Sequence, residues 1–409
     1  MIINYFKKLN IFKTLFEKDE NNREINIYKV NNCNITGINL YYPNILVYNY
    51  ENGLILPLLE KTMSLKLGTI YETYNMKYDY NPKIIENTDD IYSIPLFFFV
   101  YNTDNYFHFL YDTLPYLISY LKLKTNIPQL KLLMQYPNEL KKEFYPFTLE
   151  FLELLDIKID DIIIVNDNTL YKELYISTSY THDIDSNLPP RKEIYLFYQD
   201  IARIVINNNP NIITPPKIYI SRRTWLHNDF SNIGTNYTTR RKLVNEDALV
   251  EDLLKQGFIE VFTEKLSTIE KILYFTNATH VVGAIGGGIS NVLFSPQNTK
   301  LEVIVSPTFL DVNKRFKYSL DCVDVNYNID TQHVETGEFK KYMRVKTKDG
   351  KIVGEIEDIY DNKLVVSYTD GSNTGWNSQN KYTQKEVTID EVDKLDDGLN
   401  SAWKVNHLY

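Results

Sequence analysis

From about Ile45 to Val305, short apolar runs alternate with longer stretches whose apolar residues recur at helical spacing. No other feature of the 409-residue chain constrains its fold as much, because this order is the signature of an α/β protein. SIPLFFFVY, LKLLMQYP, DIIIVN, PKIYISRR, IEVFT, HVVGAI and KLEVIVS are apolar along nearly their whole length, as strands covered on both faces are. Between them, NYFHFLYDTLPYLISYLKL, RKEIYLFYQDIARIVINN, NEDALVEDLLKQG and STIEKILYFTNA predict helices with one apolar face. Asn245 ahead of Glu246 and Asp247 reads as a helix cap, and Gly257 as a helix stop.

A chain of this length exceeds one compact core, so more than one domain is expected. The polar, proline-bearing segment INNNPNIITPPK sets a boundary near Asn207 to Lys217. The expected domains are therefore residues 1–208 and 209–328. Past Asn328 the pattern changes to alternation at every second residue, with Asp-Gly and Asp-Asn turns, which predicts a small antiparallel, barrel-like β module over 329–409.

Charge and cysteine content narrow the function. With 44 Lys and Arg against 53 Asp and Glu, the net charge is −9, so no general basic surface is available for a nucleic-acid partner. Two cysteines, Cys33 and Cys322, are too few for a disulfide framework or a cysteine zinc site. The opening MIINYFKKLNIFKTLFEKDE interrupts its apolar pattern with lysines and contains no run long enough to span a bilayer. A cytoplasmic protein without a membrane span is expected.

Only 15 glycines occur, yet Gly286, Gly287 and Gly288 are consecutive, directly after the apolar run HVVGAI. A strand followed by glycines and then a short helix beginning near Ser290 presents backbone N–H groups to an anion, with Ser290 and Asn291 as further donors. The same residues equally describe a tight packing corner. Arg222 and Arg223 end another strand, where open α/β sheets bind ligands, and Arg241 lies ahead of Glu246. Guanidinium groups at a strand end in an acidic protein suit a diphosphate.

The stretch from YISRR through RRKLVNEDALVEDLLKQGFIEVFTEKL to HVVGAIGGGISNVLFSP resembles glycosyltransferase family 61, the group that includes plant xylosyl- and arabinosyltransferases and animal protein O-GlcNAc transferases. The family's Gly-x-His-Gly-Ala-Gly-Leu-Thr-Asn pattern falls on Gly283 to Asn291, with Ile285 where the family has histidine and Gly287 where it has alanine. Upstream, YNTDNYFHFLYDTLPYL is similar to the family's Asn-x-x-His-Phe-x-x-Asp-x-Leu-Pro segment, matching at His108 and Asp112, whereas Tyr116 stands where members often have arginine. A spacing of four puts imidazole and carboxylate on one helix face.

The resemblance implies two Rossmann-like domains of GT-B type and an inverting transfer of sugar from a nucleotide diphosphate-sugar, a UDP-sugar by family likeness, to a hydroxyl of a glycan or protein. Asp112 would be the general base, with His108 orienting it or contacting the sugar. Arg222, Arg223, Arg241, Glu246, Gly286, Gly287, Gly288, Ser290 and Asn291 would form the donor site, with no metal or other cofactor. Asp183 and Asp185 have the spacing of a metal-chelating pair, but the family does not use that position. Two competitors remain. One is a binding protein that kept the fold and lost the chemistry, for which Ile285 is the reason. The other is a nicotinamide-dependent oxidoreductase or epimerase, ranked lower because no dinucleotide fingerprint follows the first strand.

Overall fold

The structure is a computed structural model and describes residues 11–36, 46–49, 53–54, 90–99, 106–136, 142–166, 168–181, 190–223, 246–284, 286–305, 324–329, 339, 344–360, 363–368 and 383–394. Three sheets and several helices make a mixed α/β protein.

The first sheet contains β1 (Ile11–Thr14), β2 (Asn26–Thr36), β3 (Leu46–Asn49), β4 (Gly53–Leu54), β5 (Ile91–Tyr92), β6 (Leu96–Phe98), β7 (Lys131–Met134), β8 (Ile162–Ile164) and β9 (Leu170–Ser177). Its order is β4-β3-β2-β9-β6-β7-β8, with β1 beside β2 and β5 beside β9. The strands β9, β6, β7 and β8 are parallel, as the apolar runs of β6, β7 and β8 predict; β9 is not among the predicted strands. On the other side β2 pairs antiparallel with β9, from Ile27 opposite Ser177 to Cys33 opposite Tyr171, which makes the sheet mixed.

The second sheet is parallel throughout, with β10 (Lys217–Ile220), β11 (Ile259–Val261), β12 (His280–Ala284), β13 (Lys300–Val305) and β14 (Asp324–Ile329) in the order β11-β10-β12-β13-β14. The chain direction across the sheet therefore reverses at β10 and β12. Along β10, Ile218 and Ile220 join the main core while Tyr219 packs on the other face with Val250, Leu253 and Phe258. Both faces are covered, which is why the strand reads as continuously apolar.

The helices are α1 (Tyr106–His108), α2 (Tyr116–Lys124), α3 (Pro146–Leu154), α4 (Lys192–Asn208), α5 (Glu246–Lys255) and α6 (Thr268–Asn277). Arg191, after the paired prolines, is the N-cap residue of α4. Ser267 caps α6 through a reciprocal box: its hydroxyl accepts from the Glu270 N–H at 3.2 Å, and the Glu270 carboxylate accepts from the Ser267 N–H at 2.8 Å. The segment predicted as one helix over 105–123 is interrupted. α1 passes into a π-helical turn, Phe109–Thr113, before α2 begins after Pro115.

One cluster of buried residues runs through both sheets and includes Phe97, Phe109, Phe151, Tyr198, Ile220, Phe275 and Phe294. Phe294 stacks on Phe151 at 6.0 Å between ring centres and meets Tyr198 edge-on at 5.1 Å. The stretch from Asn207 to Lys217, marked by composition as a boundary, thus joins two sheets that share this core.

Beyond residue 329 the described strands β15 (Arg344–Thr347), β16 (Val353–Tyr360), β17 (Lys363–Tyr368), β18 (Thr383–Thr388) and β19 (Val392–Lys394) form an antiparallel sheet. β19 returns to pair with β15, so the order is β18-β17-β16-β15-β19, around a separate core of Val345, Ile352, Ile356, Leu364, Val366, Val387 and Val392. No helix among the described residues is long and apolar enough to cross a membrane.

Candidate active site

In a parallel sheet the ends of two strands at a reversal of order diverge and leave room for a ligand. Here those ends are the residues after β10 and β12, and they carry Arg222 and the three glycines. Gly286 has φ of 151°, and a Cβ there would lie 1.7 Å from Nη2 of Arg222. Only glycine lets the guanidinium lie against this turn. A Cβ on Gly288 would be 2.7 Å from Oγ1 of Thr263 and 2.9 Å from Cγ2 of Ile220, so the turn is pressed onto the sheet as well.

Arg222 is buried, which pushes its guanidinium below the ordinary arginine value against the pull of Glu246 and Glu264. Its backbone N–H donates to Oε1 of Glu246 at 2.5 Å, the atom that also accepts from the Tyr219 hydroxyl at 2.8 Å and the Ser221 hydroxyl at 3.4 Å. Glu246 is buried in the first turn of α5. Burial raises its carboxyl above the usual range although these donors oppose the shift. Glu246 therefore holds the backbone that carries Arg222.

Arg223 is placed differently, as neighbours at a strand end point to opposite sides. It forms a fork on Glu260, with Nε and Nη2 at 2.8 and 2.6 Å, and Nη1 reaches Asp247 at 2.8 Å. Its guanidinium is committed to two carboxylates. Arg241, Ile285, Asp183 and Asp185 lie outside the described residues.

The element after the glycines is a 3-10 helix, Ile289–Phe294, and its polar side chains turn inward. The Ser290 hydroxyl donates to the Gly287 carbonyl at 2.5 Å, and Nδ2 of Asn291 donates to the Gly288 carbonyl at 2.8 Å. Both brace the turn. Oδ1 of Asn291 accepts from the hydroxyl of Tyr106 at 2.5 Å, tying the glycine turn to α1.

Two residues after Tyr106, His108 begins the second part of the site. Its Nδ1 lies 2.5 Å from Oδ2 of Asp112, one helical turn along. The Asp112 side chain is 1% exposed and that of His108 24%. The π-helical turn between them is closed by the Leu114 N–H on the Phe109 carbonyl at 2.7 Å, and the Tyr198 hydroxyl donates to the Leu110 carbonyl. Phe107 stacks on Tyr111 at 4.8 Å and meets the His108 ring edge-on at 5.3 Å. Tyr116 is buried beside the pair, and burial, helped by the Asp112 charge, pushes its phenol far above the ordinary value.

Sequence reasoning passed over Tyr106, Thr263 and Lys271. Nζ of Lys271, on α6, lies 4.9 Å from the centre of the Tyr106 ring. Burial lowers its amine, opposed by the charges of Glu150, Glu264 and Glu270. In the sequence STIEKIL a lysine looks like any solvated helix charge, and Tyr106 is one aromatic in an aromatic run. No local signal separates them from their neighbours. Among the described residues no group of three or more His, Cys, Asp or Glu side chains is placed to hold a metal ion.

Residues 106–301 match the family model described as Glycosyltransferase 61, a span that starts at Tyr106 and takes in both the His108–Asp112 pair and the glycine turn. A search among curated proteins found no match.

Proposed function

We propose, from the premise that residues 106–301 belong to glycosyltransferase family 61, that this glycosyltransferase moves a sugar from a nucleotide diphosphate-sugar, a UDP-sugar by family likeness, to a hydroxyl of a glycan or protein. In this reading residues 209–328 hold the donor, residues 1–208 the acceptor, and the two form a GT-B arrangement. The β module over 329–409 has no assigned role.

The observation that carries the reading is the Tyr106–Asn291 hydrogen bond, which sets an imidazole–carboxylate pair beside a glycine turn at a sheet reversal. The acceptor oxygen forms a bond to the anomeric carbon as the bond from that carbon to the diphosphate oxygen breaks. The nucleoside diphosphate leaves with the electron pair, and the hydroxyl proton passes to a base. Attack opposite the leaving group inverts the anomeric centre. Burial favours a division of labour opposite to the one expected from the sequence. Asp112 is out of reach and accepts from Nδ1–H of His108, so the partly exposed imidazole takes the proton at Nε2 and Asp112 fixes its tautomer. The N–H groups of Gly286, Gly287 and Gly288, with Arg222 behind them, stabilise the developing negative charge on the diphosphate, the task a metal ion performs in other transferases.

The test is a thermal-shift and turnover screen of nucleotide sugars, with and without EDTA. A ligand that binds the folded state raises the melting temperature. A shift with UDP or a UDP-sugar that survives EDTA and disappears in Arg222→Ala supports the donor site. Binding without consumption of any donor across many acceptors would favour the non-catalytic reading that Ile285 keeps open, and absence of a shift with every nucleotide would refute both.

A further inference from the structure

Lys271 lies in the first turn of α6, and no hydrogen bond or ion pair joins its amine to a described residue. Its close contact is the face of the Tyr106 ring; Glu150, Glu264 and Glu270 act on it from beyond ion-pair distance. That ring is shared. Its hydroxyl donates to Asn291, and its Cδ1 and Cβ lie 3.7 and 3.8 Å from where a Cβ on Gly287 would sit. The amine and the glycine turn therefore flank one aromatic side chain.

We propose that Lys271 is the second cation of the diphosphate subsite, binding a non-bridging oxygen of the nucleoside diphosphate while Arg222 supports the glycine turn from behind. This rests on the donor reading given above. The charge balance motivates it. A diphosphate brings about two negative charges to a region that already holds Glu150, Glu246 and Glu264. Arg222 lies beside Glu246 and is compensated from within, and Arg223 is held by Glu260 and Asp247. Lys271 is half-buried, and an ammonium group partly removed from water without a carboxylate in contact is disfavoured, a cost that an anion in contact relieves. A cation over an aromatic face keeps its N–H groups available in other directions.

The experiment is calorimetric titration of the full chain, in wild-type, Lys271→Met and Lys271→Arg forms, with UDP, GDP, ADP and CDP and with the matching monophosphates. Each variant's melting temperature is checked first. Losing a charge-assisted hydrogen bond predicts that Lys271→Met weakens diphosphate binding about tenfold or more. The monophosphate should change far less, and Lys271→Arg should retain most of the diphosphate affinity. Unchanged diphosphate affinity in Lys271→Met, or an equal loss for diphosphate and monophosphate, would overturn the assignment while leaving the donor site intact. Failure of the wild-type chain to bind any nucleoside diphosphate would overturn the donor reading itself, and this inference with it. Should Lys271→Met not fold, Lys271→Gln takes its place: it removes the charge while keeping a polar chain over Tyr106, and a diphosphate-selective loss supports the assignment whereas an unchanged diphosphate-to-monophosphate ratio overturns it.

Discussion

The hydroxyl of Tyr106 donates to Oδ1 of Asn291 at 2.5 Å, across 185 residues of sequence, and that bond ties the segment carrying the imidazole–carboxylate pair to the glycine turn. Replacing Tyr106 with Phe leaves Asn291, which is fully buried, without this donor. A buried acceptor left without its partner costs about 1–3 kcal/mol. Tyr106→Phe should therefore lower the melting temperature modestly and reduce turnover more than donor binding, as thermal melts and steady-state kinetics would reveal. Wild-type turnover in this variant would show that the bond is not needed to align the two parts.

Gly286→Ala should be more damaging than its size suggests. The new methyl group would overlap the Arg222 guanidinium, which is itself buried and has little room to withdraw. Overpacking of this kind costs about 1–3 kcal/mol. The expected result is a less stable protein with loss of nucleotide binding. A double variant, Gly286→Ala with Arg222→Ala, should recover the part of the stability lost to the overlap, the strain of an alanine at φ 151° remaining, without recovering binding.

The roles of His108 and Asp112 separate kinetically. Removing a general base lowers turnover by about 10²–10⁴-fold. With the imidazole as base, His108→Ala should cost at least as much turnover as Asp112→Asn, both leaving donor affinity near wild type. If Asp112→Asn is far more damaging than His108→Ala, the carboxylate takes the proton itself and the site must open to expose it.

Glu246 predicts a pH effect on stability. Its folded-state value is raised above 4.5, mainly by burial, so ionisation is disfavoured in the fold. The stabilising contribution of the neutral acid is complete below pH 4.5 and is lost as pH rises through the raised value. Glu246→Gln cannot ionise but keeps a carbonyl oxygen for the Arg222 N–H and the Tyr219 hydroxyl. The melting temperature of the variant relative to wild type should increase as pH rises from about 4 to 8. A difference independent of pH would mean that Glu246 does not titrate in this range.

Much of the architecture is local and was legible in the chain. Continuous apolar runs such as KIYI and HVVGA become the buried strands β10 and β12 because each residue contributes its face independently of distant partners. Helical spacing located α4, α5 and α6 for the same reason. The spacing of four between His108 and Asp112 placed them together, although the turn joining them is π-helical.

What the sequence by itself determined is therefore the strands β6, β7, β8, β10, β11, β12 and β13, the helices α4, α5 and α6, the strand ends bearing Arg222 and the glycines, and the match of residues 106–301 to a family model. Only the tertiary structure decided that β2 pairs with β9 from the far side of the first sheet, a contact between residues some 140 positions apart in which neither strand specifies its partner. It also decided that adjacent arginines have different fates, Arg222 under the glycine turn and Arg223 on Glu260. A polar residue has the same letter whether water, a carboxylate or an aromatic ring surrounds it, so the positions of Tyr106 and Thr263 against the glycine turn and of Lys271 over the Tyr106 ring follow from what packs against them and not from their neighbours in the chain.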